Sequence, residues 1–125
     1  MNKPQHNTPK LLGMILAAGL GTRLAPLTDH LPKPLLPVRG RTLLDRAIES
    51  FDRARIEEIA VNTHHHSRLI TEHLGLRPDS ERFTISHEAE ILGTGGALYP
   101  VKAMLKEGDC FVLHNGDVLC ELDLR

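Results

Sequence analysis

The chain has 125 residues, of which 41% are apolar and 25% are charged, and its formal net charge is −1. This composition is typical of one soluble globular unit and lacks the strong basic excess expected of a nucleic-acid-binding protein. The longest apolar run is far shorter than the roughly 20 residues that cross a bilayer, and no apolar signal region precedes it. We therefore expect a cytoplasmic protein that binds neither nucleic acid nor a membrane. Its two cysteines, Cys110 and Cys120, are too few for a disulfide framework.

The first half of the chain alternates strand and helix signals. Residues 1–10 are polar and contain two prolines, which predicts a flexible tail. Residues 11–17 are apolar throughout, as in a central parallel strand. Residues 18–40 form a long loop rich in Gly and Pro, and loops of that length are usually functional. Thr42 has an acidic residue three positions later, which is a capping box, and residues 43–54 then follow a helical apolar pattern.

Three later segments have strand patterns. Residues 59–63 are predicted to form the second strand, and residues 110–114 a buried fourth strand. Residues 83–87 alternate between apolar and polar and should be less buried than the first strand. Strands that alternate with helices predict an α/β fold with three layers and a mainly parallel sheet.

Two further helices are expected between these strands. Ser67 is predicted to cap a short helix that runs through Leu74 and stops at Gly75. A second helix is predicted around residues 96–106, with Pro100 in its first turn or at a kink.

The stretch from Met14 to Leu24 (MILAAGLGTRL) joins an apolar strand to a glycine-rich turn that ends on Arg23. Exposed backbone N–H groups in such a turn favour an anion, and arginine matches phosphate oxygens. The P-loop motif is absent, and the dinucleotide fingerprint is incomplete because Leu24 stands at its third glycine position. Taken alone, Gly19 and Gly21 are equally consistent with a purely structural turn.

The wider stretch LAAGLGTRLAPLT, with PKPLLPV downstream, resembles the start of the sugar-1-phosphate nucleotidylyltransferases. The resemblance covers residues 11–124 and implies a Rossmann-like nucleotide-diphospho-sugar transferase fold. It stops where the family continues into its sugar-binding half, so we expect residues 11–125 to be the N-terminal nucleotide-binding part of a truncated domain. The chain is most similar to the branch that uses mannose 1-phosphate with GTP or N-acetylmuramate 1-phosphate with UTP.

The reaction implied by this resemblance transfers a nucleotidyl group from an NTP to a sugar 1-phosphate. Gly19, Gly21 and Thr22 would offer N–H groups to the triphosphate, and Arg23 would hold the leaving pyrophosphate. Lys33, stiffened by a proline on each side, would contact phosphate near the reacting centre. These two cations are the expected catalytic residues. The alternative for Arg23 is a surface arginine paired with an acidic neighbour, and the alternative for Lys33 is a solvated loop lysine.

Asn115, Gly116 and Asp117 follow the last predicted strand, where ligands of open α/β sheets bind. The family's matching aspartate binds Mg²⁺, so Asp117 is the expected metal ligand and Mg²⁺ the expected cofactor. Without the resemblance, a turn aspartate would be the preferred interpretation. The family's second metal-binding aspartate lies downstream, so we expect weak metal binding and little turnover from this chain alone.

Residues 88–97 (EAEILGTGGA) resemble the stretch that lines the base and ribose pocket of the family. Glu88 is a candidate to contact a base N–H, and Thr94 offers a hydroxyl. The expected pocket residues are Ala17, Ala18, Gly19, Gly21, Thr22, Glu88, Gly93, Thr94, Gly95 and Asn115. The expected partners are an NTP, with GTP or UTP favoured, and a sugar 1-phosphate; an oligomer is left open.

Three other interpretations compete with this one. A metal site at His64, His65 and His66 is rejected, because adjacent residues point in different directions and cannot all face one ion. A dinucleotide-binding domain expects an acidic residue after the second strand, and residues 59–63 are followed by histidine instead. A catalytically inactive nucleotide-binding or regulatory module stays open.

Overall fold

The computed structural model describes residues 8–120, which form a four-stranded sheet, a two-stranded hairpin and helices on both faces of the larger sheet. The elements in chain order are β1 (Leu11–Leu16), β2 (Pro37–Val38), β3 (Arg41–Thr42), α1 (Leu43–Arg53), β4 (Ile59–Thr63), α2 (Ser67–Gly75), β5 (Phe83–His87), α3 (Gly93–Leu98), α4 (Lys102–Leu105) and β6 (Cys110–Asn115). None of the helices in this part of the chain has the length and apolarity that a membrane span requires.

The large sheet has the order β5-β4-β1-β6, and each neighbouring pair is parallel. Leu16, at the end of β1, lies in register with Asn62 of β4 on one side and with Asn115 of β6 on the other. The prediction of a mainly parallel sheet is confirmed, and the carboxyl ends of three strands meet at one edge.

Side chains of β1 alternate between two cores, one on each face of the sheet. Ile15 packs with α1 and α2, in a cluster that contains the fully buried Phe51. Leu12 and Met14 pack with α3 and α4 on the opposite face. Full burial of such side chains stabilises the fold by roughly 1.5–3 kcal/mol each. The three-layer α/β architecture is therefore confirmed.

The start of α1 agrees with the sequence prediction. The backbone N–H of Asp45 donates to Oγ1 of Thr42 over 3.0 Å, so Thr42 is the N-cap. The loop before it is more ordered than expected: it contains one-turn 3₁₀ helices at Thr22–Leu24 and Lys33–Leu35 and the hairpin of β2 and β3.

Two boundaries of α2 differ from the prediction. The N-cap is His66, which adopts the left-handed conformation with φ of 50°, and Ser67 is the first helical residue. Gly75 lies inside the helix, and Leu76 is the C-cap. The expected Ser67 cap is wrong, because the turn out of β4 is made by the left-handed backbone of His66 and not by a side-chain cap.

The helix expected over residues 96–106 is two short helices. The first, α3, begins earlier, at Gly93, and α4 begins at Lys102, with Pro100 in the turn between them. Proline lacks an N–H to continue the hydrogen-bond ladder, which accounts for the break.

The burial predicted for β6 is wrong, because this strand lies at the edge of the sheet among the described residues. Phe111 and Leu113 are 41% and 40% exposed, respectively. β5, on the other edge, is less buried than β1, as predicted. Ala17, expected as the last residue of the first strand, follows β1 directly.

The predicted tail falls mostly on residues 1–7, outside the described part of the chain. Its last residue, Lys10, contacts the body of the protein: its N–H donates to Oδ2 of Asp109 over 2.7 Å, and its Nζ pairs with Glu58. Lys10, the residue before β1, is therefore attached to the turns that precede β4 and β6.

Candidate functional site

An open cleft of about 520 Å³ lies at the carboxyl ends of β1, β4 and β6. Its lining combines the strand ends, the glycine loop after β1 and the segment that opens α3. The lining residues are Leu16, Ala17, Ala18, Gly19, Leu20, Gly21, Thr22, Arg23, Leu24, Lys33, Pro34, Asn62, Glu88, Ile91, Gly93, Thr94, Asn115 and Asp117. The cleft thus lies at the edge of the sheet where the strand ends meet.

The glycine loop is closed by a buried threonine. Thr28 is 3% exposed, and its Oγ1 donates to the carbonyl oxygen of Gly21 over 2.7 Å. The same carbonyl accepts from the N–H of Leu24 over 3.1 Å. Gly21 has φ of 66°, and a Cβ there would lie 3.0 Å from Cγ2 of Thr28 and 3.2 Å from Cβ of Lys33. The left-handed backbone and the close packing together favour glycine at this position.

Lys33 and Asp117 meet across the cleft. Lys33 begins a 3₁₀ helix after Pro32, and its Nζ lies 2.8 Å from Oδ2 of Asp117. Asp117 follows the buried Gly116, whose N–H donates to the carbonyl oxygen of Leu16 over 2.8 Å. The backbone beside Asp117 is therefore held against the end of β1, and the Lys33 ammonium lies next to the Asp117 carboxylate.

A second carboxylate, that of Glu88, is almost wholly enclosed at 3% exposure. Its Oε1 accepts from Nδ2 of Asn62 over 2.9 Å, and its Oε2 accepts from the N–H of Leu92 over 3.2 Å. Oδ1 of Asn62 accepts in turn from the N–H of Ala17 over 2.7 Å. Glu88 thus lines the cleft with both carboxylate oxygens already engaged by protein donors.

The structure brings nearly all of the sequence-predicted site residues into this one cleft. Gly95 is the exception: it lies inside α3, beyond Gly93 and Thr94, and is not among the lining residues. Arg23 is exposed at the cleft's rim.

Sequence reasoning missed Asn62 and Thr28, two buried polar residues whose hydrogen bonds support the cleft. Asn62 could have been found as an amide at the carboxyl end of a buried parallel strand. Thr28 gave no such signal, because its role depends on the tertiary path of the glycine loop.

The three consecutive histidines contact different carbonyl oxygens. Nδ1 of His64 lies 2.7 Å from the carbonyl oxygen of Glu88, whereas His65 and His66 contact carbonyls of residues 28–29. They form a polar strand-to-helix junction beside the cleft. Within residues 8–120, no group of three or more His, Cys, Asp or Glu residues is placed to hold a metal ion.

A separate charged cluster joins α1 to the segment after α2. Burial raises the pKa of Asp45, but hydrogen bonding to His73 and Thr42, together with the nearby positive charge of Arg77, outweighs this effect, so that the pKa lies below its ordinary value of 3.8. The hydrogen bond from Arg77 likewise lowers the pKa of Asp79, and Arg82 adds a further bond to it. None of these residues lines the cleft, so this cluster contributes to the stability of the α1 face rather than to the site.

Comparison with known proteins identifies the family. The family model described as Nucleotidyl transferase matches residues 12–125. The chain is 39% identical over 120 residues to N-acetylmuramate alpha-1-phosphate uridylyltransferase of Caulobacter vibrioides, covering 90% of this chain and 48% of that protein. It is 35% identical over 116 residues to mannose-1-phosphate guanyltransferase of Saccharomyces cerevisiae, covering 90% of this chain and 32% of that protein.

Solved structures agree with this assignment. A Bacillus anthracis crystal structure assigned as a glucose-1-phosphate thymidylyltransferase superposes with a TM-score of 0.76 at 28% identity, covering 86% of this chain and 44% of that one. A UDP-glucose pyrophosphorylase complexed with UDP-glucose shares the fold at a TM-score of 0.73 and 23% identity, covering 94% of this chain and 49% of that one. The chain thus spans about half, or less, of the length of these relatives. On the match over residues 12–125 and on this shared fold, the chain belongs to the nucleotidyl transferase family, among the sugar-1-phosphate nucleotidyltransferases.

Proposed function

We propose that the cleft binds an NTP and that the protein serves nucleotidyl transfer to a sugar 1-phosphate, with release of pyrophosphate. The observation that carries the proposal is the approach of Lys33 to Asp117, 2.8 Å apart, in a cleft that the glycine loop also lines. A cation, a carboxylate and a glycine-rich backbone are the three kinds of group that phosphoryl chemistry needs.

In the proposed reaction an oxygen of the sugar phosphate forms a bond to the α-phosphorus of the NTP. The bond from that phosphorus to the oxygen bridging to the β-phosphate breaks, and pyrophosphate leaves. The attacking phosphate is largely ionised near neutral pH, since its second pKa is about 6, so no strong general base is needed. The protein's task is to align the two phosphates and to neutralise their charge.

Five residues would share that task. The N–H groups of Gly19, Gly21 and Thr22 would donate to triphosphate oxygens, and Arg23 at the rim would hold the leaving pyrophosphate. Lys33 would leave Asp117 to neutralise charge near the α-phosphate. The Thr28 hydrogen bond, by fixing the loop before the ligand arrives, would lower the cost of ordering it.

The donor set at Asp117 fits Mg²⁺. Its carboxylate is a hard oxygen ligand, and its Oδ2 already lies against the positive charge of Lys33. Mg²⁺ typically takes one or two carboxylates together with phosphate oxygens. Asp117 would hold the ion, which would supply charge neutralisation at the phosphates when bound.

The base would occupy the part of the cleft between Ala17 and Ala18 on one side and Gly93 and Thr94 on the other. Relatives named as a uridylyltransferase and a guanyltransferase support UTP or GTP as the nucleotide. A second candidate is nucleotide binding without turnover. It is supported by the Lys33–Asp117 ion pair, in which two charges needed for catalysis are engaged with each other.

Thermal unfolding with GTP, UTP, dTTP, CTP, ATP and NAD, each with and without Mg²⁺, tests the proposal. A ligand that binds the native state raises its stability by mass action, by about 2.7 kcal/mol at a hundred times Kd. We expect a shift with one NTP that diminishes in Arg23→Ala but not in Arg68→Ala, an exposed position on α2. No NTP shift in a cooperatively melting protein would refute it, and a shift without pyrophosphate release in a sugar 1-phosphate panel would favour the inactive module.

A further inference from the structure

A chain of hydrogen bonds runs through the buried floor of the cleft from one wall to the other. It begins at the N–H of Ala17, passes through Asn62 and Glu88, and ends at the N–H of Leu92. Asn62 and Glu88 are each 3% exposed, so the first two bonds are shielded from solvent, whereas the bond to Leu92 is only partly buried. The two side chains belong to elements 26 residues apart in sequence, β4 and the turn after β5.

The orientation of Asn62 follows from the chemistry of its neighbours. The N–H of Ala17 can only donate, so the amide oxygen must face it, over 2.7 Å. The amide nitrogen then faces Oε1 of Glu88, which accepts from it over 2.9 Å. Each partner thus dictates the direction of the next bond, and the arrangement has a single solution.

The backbone around Glu88 is fixed as well. Its N–H donates to the carbonyl oxygen of Thr63 over 2.7 Å, and its own carbonyl oxygen lies 2.7 Å from Nδ1 of His64. The Glu88 side chain cannot swing into the cleft without leaving the buried amide of Asn62 unpaired, which is costly in a low-dielectric interior. Its position is therefore determined before any ligand arrives.

We propose that Asn62 and Glu88 act as a pair of positioning residues that set the distance between the two walls of the nucleobase pocket. One wall is Ala17 with Ala18, and the other is the segment from Leu92 to Thr94. This inference rests on the proposed function, because it assigns the space between these walls to the base. In this arrangement Glu88 shapes the pocket and does not itself need to contact the base.

The phosphate end of the cleft is anchored independently of this pair. Thr28 holds the glycine loop through Gly21, and the Lys33–Asp117 pair lies near the end of β6. Breaking the Asn62–Glu88 bond should therefore weaken recognition of the base and leave recognition of the phosphates nearly unchanged.

The test measures the affinity of the full chain for UTP, GTP and inorganic tripolyphosphate, each with Mg²⁺, by titration calorimetry. In Asn62→Ala and in Glu88→Gln, the better-bound nucleotide should lose about tenfold or more in affinity, and tripolyphosphate about twofold or less. Glu90→Gln, an exposed position two residues away, is the matched control and should leave both affinities unchanged.

The chain also offers a rescue. In the double variant Asn62→Asp with Glu88→Gln, the introduced aspartate can accept from Ala17 and from the introduced glutamine. The glutamine oxygen can still accept from Leu92. The middle bond is reversed, the net charge is unchanged and every donor keeps a partner, so nucleotide affinity should return to within about twofold of wild type.

Each outcome decides between distinct explanations. Equal losses for tripolyphosphate and nucleotide in the single variants, or no loss for either, would overturn the inference. If the double variant folds and binds tripolyphosphate but not the nucleotide, Glu88 contacts the base directly through its carboxyl group, and the positioning role is wrong. If wild type binds neither nucleotide more tightly than tripolyphosphate, the proposed function itself fails and takes the inference with it.

Discussion

The substitutions Gly21→Ala and Gly19→Ala distinguish the role of the glycine loop in folding stability from its proposed role in binding phosphate. Gly21 has φ of 66°, and an added Cβ would lie 3.0 Å from Thr28 and 3.2 Å from Lys33. A left-handed backbone costs a non-glycine residue roughly 1–2 kcal/mol, and crowding in a packed region adds about 1 kcal/mol or more. We therefore expect Gly21→Ala to lower the free energy of unfolding by about 2–3 kcal/mol.

Gly19→Ala should behave in the opposite way. A Cβ at Gly19 meets nothing within 4 Å, so the free energy of unfolding should stay within about 0.5 kcal/mol of wild type or rise slightly. The methyl group would nonetheless project from the loop that is proposed to approach the phosphates. The affinity of Gly19→Ala for the preferred NTP should therefore fall about tenfold, or roughly 1.4 kcal/mol.

Gly40→Ala is the control for backbone strain alone. Gly40 also has a left-handed φ, of 79°, but a Cβ there meets nothing within 4 Å, and it does not line the cleft. It should lose about 1–2 kcal/mol of stability without losing nucleotide affinity. Urea denaturation and titration calorimetry on the three variants provide the measurements. If Gly21→Ala is as stable as Gly40→Ala, the contacts with Thr28 and Lys33 do not destabilise the variant. If Gly19→Ala binds the NTP as tightly as wild type, the proposed close approach of the loop to phosphate is refuted.

Three further predictions concern the stability of the fold. Thr28→Val keeps the shape of a buried side chain but removes its donor to the loop carbonyl, so urea denaturation should show a loss of about 1–2 kcal/mol; an unchanged midpoint would mean that the hydroxyl is dispensable. Burial raises the pKa of Asp45, but hydrogen bonding to His73 helps to bring its net value below 3.8, so its contribution is present above that pH and is lost as the pH falls through the folded-state value. The urea midpoint of Asp45→Asn should therefore vary less than that of wild type below about pH 4, and parallel pH profiles would contradict this assignment. Gly13→Ala would bring a Cβ within 2.7 Å of the Phe51 ring and should cost about 1–3 kcal/mol, which the added substitution Phe51→Leu should partly recover; additive losses would exclude this contact as the cause.

Local patterns were sufficient for the parts of this protein that depend on neighbours in sequence. The apolar run of β1, the glycine turn after it and the Thr42 cap of α1 were each recognisable from a few consecutive residues. The same holds for most of the cleft lining, because parallel strands bring their carboxyl ends to one edge whatever the details of packing. The motif around Arg23 and Lys33 then identified the family, which the match over residues 12–125 confirmed.

Other features depended on which elements become neighbours in space. β6 has the apolar composition of a buried strand, yet its place at the edge of the described sheet leaves Phe111 and Leu113 exposed. The N-cap of α2 is His66 and not the predicted Ser67, because the turn after β4 contains a residue in the left-handed conformation. Neither feature can be predicted from apolar periodicity, because periodicity indicates whether a segment is a helix or a strand and not which elements surround it.

The sequence by itself determined the α/β class, the parallel strands, the glycine loop and the family, because each follows from residue types at short or regular spacing. Only the tertiary structure decided that Lys33 meets Asp117 and that Asn62 bonds to Glu88. These contacts join segments that are distant along the chain. A hydrogen bond or an ion pair depends on separations of about 3 Å, which only the packed arrangement of the strands and loops can set.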